Sequence, residues 1–124
     1  MASNVVSDNF ETGTGGVPQL GGTGATTCKA WVYFTGSGTV AIRDSFNVSS
    51  ITDNGTGDFT INFSISFSDT NYLIISSGGQ DSVANGIDIT DKGSKTTNSV
   101  RMLATYNDNT AGDMPRIYTT IFSN

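Results

Sequence analysis

Hydrophobic and polar side chains alternate along much of the chain with a period of two residues. The clearest run extends from Asp58 to Ser68, where phenylalanine and isoleucine occupy one face and threonine, serine and asparagine the other. Residues 100–106 and 116–123 alternate in the same way. This period is typical of β-strands, and no 11-residue window shows an apolar stripe at helical spacing. The pattern predicts an all-β protein.

Turn signals separate the predicted strands. The strongest is Asp53–Asp58, which reads DNGTGD, because Asn-Gly supplies the positive φ angles that short hairpin turns need. We also predict a Ser-Ser-Gly-Gly turn at Ser76–Gly79 and polar loops at Lys92–Ser99 and Asn107–Pro115. Seven or eight short strands with turns between them predict an antiparallel β-sandwich that is jelly-roll-like.

Some predicted strands carry apolar side chains on both faces. In Lys29–Phe34, Trp31 and Tyr33 lie on one face and Val32 and Phe34 on the other, so we expect Trp31 to be buried. The last strand, 116–123, is similar. This exceeds what one small core can easily cover. Either copies of the chain bury the surplus between them, which we favour, or loops and the N-terminal segment cover it within one sandwich.

Composition divides the chain into an N-terminal arm, residues 1–27, and a β-domain, residues 28–124. The segment Glu11–Thr27 is rich in glycine and threonine and has no aromatic residue, so it has few side chains to bury. Upstream, Val5, Val6 and Phe10 form a small apolar group. The arm is interpreted either as an attachment segment anchored by these three residues or as a floppy terminus.

The residue inventory excludes several functions. The 124 residues include no histidine and one cysteine, so a Ser-His-Asp triad, an imidazole metal site, an internal disulfide framework and a cysteine-rich zinc site are all ruled out. A formal charge of −5 opposes binding to nucleic acid backbones. No stretch approaches the roughly 20 apolar residues of a membrane span. We expect no cofactor, no nucleic acid partner and no membrane insertion.

Carboxylates are the remaining candidates for acid–base or metal chemistry. The pairs Asp53/Asp58 and Asp88/Asp91 are close in sequence, but aspartate is favoured in turns in its own right. The DNGTGD and NDNTAGD segments crowd oxygen ligands as calcium prefers, without the EF-hand spacing. We interpret both as Asx-turn chemistry. We therefore assign no catalytic residue and no metal ligand, and expect a protein that is not an enzyme.

Residues of the types that bind carbohydrate occur in the second half of the chain. Sugar sites combine exposed aromatic rings with Asn, Asp or Arg side chains on loops of a rigid scaffold. The candidate receptor or glycan contacts are Tyr72, Tyr106, Asn107, Asp108, Asn109 and Arg116. Tyr106 also has the alternative interpretation of a tyrosine at the edge of the core, because it continues an apolar face. Cys28 is interpreted as an idle thiol.

The segment Cys28–Phe67 resembles part of bacteriophage tail-fibre and related virion structural proteins. The matching pieces are KAWVYF, TGSGTVAIRDSFNVSSITDNGTGDFTINF and the following SFSDTNY. Tyr33 departs from the pattern, since asparagine is more frequent there. The resemblance implies a β-rich virion protein, a homotrimer, that is assembled in the host cytoplasm and contacts a host surface glycan or protein. The N-terminal arm would then contact other virion proteins.

Three functions are therefore considered. The first is a tail-fibre or receptor-binding fibre subunit, with specificity in the loops around Ser76–Ser82, Asp91–Asn98 and Asn107–Pro115. The second is a capsid decoration or head-fibre protein with a structural role only. The third is a carbohydrate-binding module of a bacterial enzyme, which would normally be joined to a catalytic domain.

Overall fold

The computed structural model describes residues 27–81 and 87–123, so the predicted anchor residues Val5, Val6 and Phe10 lie outside the described residues. Within the described ranges the chain forms strands and no helix, and hence no helix long and apolar enough to cross a membrane. The strands are β1 (Thr27–Thr35), β2 (Ala41–Phe46), β3 (Val48–Gly55), β4 (Asp58–Phe63), β5 (Leu73–Gly79), β6 (Ile87–Asp91), β7 (Ser99–Tyr106) and β8 (Arg116–Ser123).

The strands form two four-stranded sheets in which every pair is antiparallel. The first sheet has the order β2-β1-β8-β5, and the second has the order β3-β4-β7-β6. Three hairpins join sequence neighbours within a sheet, and the other connections cross between the sheets. The predicted antiparallel β-sandwich is confirmed.

The core lies between the two sheets and is built from the inward side of each alternating pattern. Phe34 of the first sheet meets Phe59 of the second edge to face, with 5.4 Å between ring centroids. Burying a large apolar side chain contributes roughly 1.5–3 kcal/mol, so this layer dominates the stability of the fold. The buried apolar residues are Ala30, Val32, Phe34, Val48, Phe59, Ile61, Phe63, Tyr72, Val100, Met102, Ala104, Met114, Ile117 and Ile121.

The two ends of the sandwich differ. At one end, here called the base, Thr27 of β1 pairs with Ser123 of β8, and the connections 64–72 and 92–98 also lie there. At the other end, here called the tip, lie the β1–β2 connection, the β3–β4 turn and the β7–β8 connection, residues 107–115. The described chain therefore begins and ends on adjacent strands at the base.

The longest predicted strand is shorter than its pattern suggests. Phe59 and Ile61 face the core as predicted, but β4 ends at Phe63 and Ile65 is 73% exposed. Beyond Phe63 the backbone leaves the second sheet because it bonds to the side chain of Asn47. The Asn47 Oδ1 accepts the Ile65 N–H at 2.7 Å, and the Asn47 amide donates to the Ile65 carbonyl at 3.3 Å. The predicted single strand Asp58–Ser68 therefore ends at Phe63, and of the two later apolar positions Phe67 still packs against the core whereas Ile65 does not.

The predicted Ser-Ser-Gly-Gly turn at Ser76–Gly79 is also wrong, because these residues are the second half of β5. Gly78 pairs with Ile117, and Gly79 pairs with Arg116. A Cβ at Gly78 would lie 3.1 Å from Cδ1 of Ile89, a side chain of the opposite sheet. Glycine occurs here because a neighbouring side chain occupies the space, and not because the chain reverses.

The β3–β4 hairpin is confirmed, but its turn is formed by Thr56 and Gly57 and not by Asn-Gly. Gly55 pairs with Asp58, and Gly57 has a φ of +66°. The Asn54 amide instead donates to Thr60 Oγ1 at 2.8 Å. The hairpin signal therefore locates the reversal to within two residues.

Trp31 does not lie in the core, and the prediction of its burial is wrong. The alternation is as expected, with Val32 and Phe34 buried, but this places Trp31 and Tyr33 on the outer face of the first sheet, where both are half-buried. No described loop covers this face completely, since Phe46 remains 54% exposed beside it.

Candidate functional site

The β7–β8 connection supplies most of the predicted contact residues, and they form a tight turn at the tip. The Asn109 N–H donates to the Tyr106 carbonyl at 2.8 Å, and the Tyr106 N–H donates to the Thr110 carbonyl at 2.9 Å. Asn109 has a φ of +68°, a left-handed conformation that asparagine tolerates better than most residues. Asn107, Asp108 and Asn109 are all exposed.

Asp108 is fixed within this turn by Thr110. Its Oδ1 accepts the Thr110 hydroxyl at 2.6 Å and the Thr110 N–H at 3.0 Å. These two hydrogen bonds, the hydroxyl first, lower the pKa of the Asp108 carboxyl. At neutral pH the turn therefore presents a negative charge between two asparagine side chains. The carboxylate can accept hydrogen bonds from a polyhydroxyl ligand, and the two amides can donate and accept them.

The rest of the connection is anchored to the sandwich. The Gly112 N–H donates to the Ala104 carbonyl at 3.0 Å, and the Met114 side chain is fully buried. Asp113 Oδ1 accepts the Gly57 N–H at 2.7 Å, which ties the connection to the β3–β4 turn. The exposed turn thus stands on a fixed platform.

Tyr106 lies at the edge of the core, in agreement with the alternative interpretation of this residue. It is half-buried and packs against the core cluster. A Cβ at Gly112 would lie 2.4 Å from Cε2 of Tyr106, so the ring rests directly on that glycine. One face of the ring is therefore covered, and the residue supports the turn more than it offers a stacking platform.

Arg116 begins β8 at the tip and forms an ion pair that the sequence did not suggest. Its Nη1 donates to Asp81 Oδ1 at 2.7 Å, and this carboxylate raises the pKa of Arg116. The Asp81 side chain is 82% exposed, so the pair contributes little to stability. The two residues are 35 positions apart, and no local pattern links them.

Tyr72 is a core residue at the base, so its prediction as a receptor or glycan contact is wrong. It is 1% exposed, and its hydroxyl donates to the carbonyl of Thr96 at 2.9 Å and lies 3.2 Å from that of Ser99. Burial, reinforced by the negative charge of Asp91, raises the pKa of Tyr72 to about 12. Its ring is not available to stack on a sugar.

Of the three loops predicted to carry specificity, one lies apart from the other two, because Asp81 of Ser76–Ser82 bonds to Arg116 at the tip. Asn107–Pro115 lies at the tip, whereas Asp91–Asn98 connects β6 to β7 at the base. Of Ser76–Ser82, the first four residues belong to β5 and Ser82 is outside the described residues. The structure therefore gathers Tyr106, the turn 107–110 and Arg116 at one end.

Asp58, a candidate for acid–base chemistry, is committed to ion pairs. The guanidinium of Arg101 donates to both carboxylate oxygens, at 2.8 and 2.9 Å, and Lys92 Nζ lies 3.0 Å from Oδ2. The hydrogen bond from Arg101 is the main cause that holds the pKa of Asp58 well below its usual range. A carboxylate held ionised in this way cannot donate a proton at neutral pH.

Of the other acidic candidates, Asp88 is an exposed residue of β6, whereas Asp53 and Asp91 accept hydrogen bonds in turns. Asp53 Oδ1 accepts the Gly55 N–H at 3.0 Å, and Asp91 Oδ1 accepts the Gly93 N–H at 2.7 Å. The contact of Asp53 confirms the Asx-turn interpretation of DNGTGD, and that of Asp91 fits the preference of aspartate for turns. Among the described residues, no group of three or more acidic or cysteine side chains is arranged to hold a metal ion.

We expect Asp58→Asn to lower the free energy of unfolding by about 2 kcal/mol at pH 7, because Arg101 and Lys92 lose their charged partner. The folded pKa of Asp58 lies below its unfolded value of about 3.9. The stabilisation is therefore complete above about pH 5 and is lost as the pH falls below about 4. Urea titrations from pH 7 to pH 2 should show that the free energy of unfolding falls less on acidification for Asp58→Asn than for the wild type.

The control is Asp88→Asn, which changes an exposed residue of β6. Its free energy of unfolding should fall on acidification by as much as that of the wild type. Equal acid losses in all three proteins would contradict the assignment.

The fold and these contacts define an all-β sandwich domain with a rigid polar turn at one end and the paired residues Thr27 and Ser123 at the other. Comparison with protein-family models, curated proteins and solved structures finds no match for the chain.

Proposed function

We propose that the chain is a non-enzymatic subunit of a bacteriophage fibre, trimeric, that contacts the host cell surface with its tip. The observation that carries the proposal is the separation of the two ends. Thr27, which continues the N-terminal arm, pairs with Ser123 at the base, and the exposed polar turn 107–110 lies at the tip. A fibre subunit needs this polarity, because its attachment and its receptor contact must face opposite ways.

The chemistry of the tip suits a hydroxyl-rich ligand. Asn107 and Asn109 offer both donors and acceptors, and Asp108 is a fixed acceptor. The turn is held on a platform by buried Met114 and by the bond between Asp113 and the β3–β4 turn, so little conformational entropy is lost on binding. A surface glycan is the ligand class that this set of groups fits best.

The base supports the attachment half of the proposal. A groove of about 550 Å³ there is lined by both apolar and polar residues, among them Lys29, Phe46 and Ile65. Ile65 is 73% exposed and lines this groove. The base therefore offers a groove of mixed polarity, with Ile65 as an exposed apolar residue, to a neighbouring particle protein close to Thr27 at the start of β1.

The receptor contact can be tested with fluorescently labelled protein on a panel of bacterial strains and on surface polysaccharides extracted from them. We expect saturable binding to a subset of strains. Asn107→Ala combined with Asn109→Gly should reduce it at least tenfold, because glycine keeps the positive φ at position 109 while removing the amide. The control Asn71→Ala changes an exposed asparagine at the base and should bind like the wild type.

Two results would contradict the proposal. If the protein binds no strain and does not slow adsorption of phage to any of them, the receptor contact is lost. If labelled antibody decorates the capsid of purified virions and not the tail, the protein is a capsid decoration or head-fibre subunit instead.

A further inference from the structure

The outer face of the first sheet is apolar over most of its area. We call this surface the apolar face and define it by Trp31, Tyr33, Phe46, Leu73, Ile75 and Tyr118. The register places them together, because Trp31 pairs with Phe46 on one side and with Thr120 on the other, and Thr120 pairs with Ile75. Phe46, Leu73, Ile75 and Tyr118 are 54%, 64%, 61% and 41% exposed.

The outer face of the second sheet has the opposite character. Its outward positions are almost all polar, and they hydrogen-bond to one another, as when the Asn62 amide donates to Ser50 and Thr52. Both faces belong to four-stranded sheets of one small domain. The apolar face is therefore not a consequence of general composition, and it needs an occupant that removes it from water.

The arrangement of the aromatic rings argues against a sugar as that occupant. Tyr33 and Tyr118 stack with centroids 4.8 Å apart, and the Arg43 guanidinium lies over the Tyr33 ring at 5.4 Å from its centroid. Arg43 belongs to β2 and Tyr118 to β8, on the two sides of β1, so both faces of the Tyr33 ring are covered. A pyranose needs a free ring face, whereas a protein surface can pack against ring edges.

The size of the apolar face matches what a protein interface requires. A stable interface buries about 800 Å² on each partner, of which about 60% is apolar. Taking roughly 150–250 Å² for a large apolar side chain, the four most exposed members alone present about 400 Å². Half-buried Trp31 and Tyr33 add to this. Such an area lies within the range of about 300–600 Å² for the largest patch on a typical monomer, a patch that is often functional.

The charges on this surface favour a second copy of the same chain. The chain has a formal charge of −5, so two copies repel each other in general. At the margin of the apolar face, however, Arg43 and Asp44 stand side by side on β2 and carry opposite charges. A surface with both signs at its rim offers each neighbouring copy a charge opposite to one of its own, while the apolar residues at its centre are removed from water.

We propose that the apolar face is the surface on which copies of this chain associate. The number of copies, three, rests on the proposed function. The choice of this surface rests on the exposure, register and ring contacts described above. The association would bury Ile75, Leu73 and Tyr118 and exclude water from the single tryptophan, Trp31.

The first test is the native mass of the full chain, measured by sedimentation over a hundredfold range of concentration. We expect about three times 13.0 kDa for the wild type and 13.0 kDa for Ile75→Lys. Ile75 is exposed on edge strand β5, so lysine should not prevent folding, which circular dichroism would verify. The matched control is Thr90→Lys, an exposed residue on edge strand β6 of the other sheet, which should keep the wild-type mass.

The second test needs no variant, because Trp31 reports on the apolar face directly. Quenching of its fluorescence by acrylamide should increase at least twofold when the trimer is diluted to monomer.

Two results would overturn the inference and leave the proposed function standing. Equal quenching in trimer and monomer, or a trimer unaffected by Ile75→Lys, would assign the association to another surface. A protein that is monomeric at every concentration would overturn the inference and the trimer of the proposed function. In that monomer, a Trp31 shielded from quencher would assign the cover to the chain's own N-terminal segment. Loss of cell binding with an intact trimer would count against the receptor contact alone.

Discussion

Replacing Gly57 with alanine should lower the free energy of unfolding by about 3 kcal/mol, because two separate requirements meet at this residue. Its φ of +66° costs a residue with a side chain about 1 kcal/mol. In addition, a Cβ would lie 2.5 Å from the Ala104 carbonyl oxygen and 2.8 Å from the Gly112 nitrogen. These are backbone atoms that cannot rotate away, and overpacking of this kind costs about 1–3 kcal/mol.

Gly38→Ala is the matched control for this prediction. Gly38 has nearly the same φ, +65°, but a Cβ there would meet no atom within 4 Å. It should therefore cost only about 1 kcal/mol. Urea unfolding of the three proteins gives the difference directly. Equal losses in Gly38→Ala and Gly57→Ala would mean that the close approach of Gly57 to Ala104 and Gly112 does not constrain the fold.

Tyr72→Ala should destabilise the protein by about 4 kcal/mol, since removing a buried aromatic ring typically costs about 3–5 kcal/mol. Its ring contacts Phe63 and Phe67 at centroid distances of 5.8 and 4.8 Å, so the loss leaves a cavity within an aromatic cluster. Tyr72→Phe retains the ring and removes only the hydroxyl that donates to the Thr96 carbonyl. It should cost about 1–2 kcal/mol.

The comparison of the two Tyr72 variants separates packing from hydrogen bonding. Thermal and urea unfolding should agree on the order wild type, Tyr72→Phe, Tyr72→Ala. A Tyr72→Ala protein as stable as the wild type would show that the base of the sandwich is not packed as described. Conversely, a Tyr72→Phe protein as unstable as Tyr72→Ala would show that the hydroxyl, and not the ring, holds the 92–98 connection.

Much of the fold could be predicted from local pattern, and the exceptions have non-local causes. The inward positions of β7 and β8 follow from alternation, because each residue's face is set by its neighbours in sequence. Ile65 continues the same alternation but leaves the sheet, because its backbone bonds to Asn47, 18 residues away. Gly78 resembles a turn residue in sequence, yet its conformation is decided by Ile89 in the opposite sheet.

The sequence predicts the exposed turn of the candidate site, but it does not predict the contacts that surround this turn. The exposed group 107–109 followed from composition, since Asn and Asp cluster in turns. Sequence cannot distinguish a tyrosine on a loop from one in the core, which is why the composition of the segment predicts a contact role for Tyr72 although its side chain is buried. The Arg116–Asp81 pair and the link from Asp113 to Gly57 join residues 35 and 56 positions apart, and only the folded chain brings them together.

The placement of Thr27 and Ser123 side by side at the base also determines how the domain would respond to mechanical load. In an antiparallel ladder the hydrogen bonds are perpendicular to the strands. A force applied between Thr27 at the base and the turn 107–110 at the tip runs along the strands, so the whole row of bonds between β1 and β8 resists it in shear. A force between Thr27 and Ser123 would instead peel the same two strands apart one bond at a time. A subunit held at its base and pulled by its tip is therefore loaded in its stronger direction.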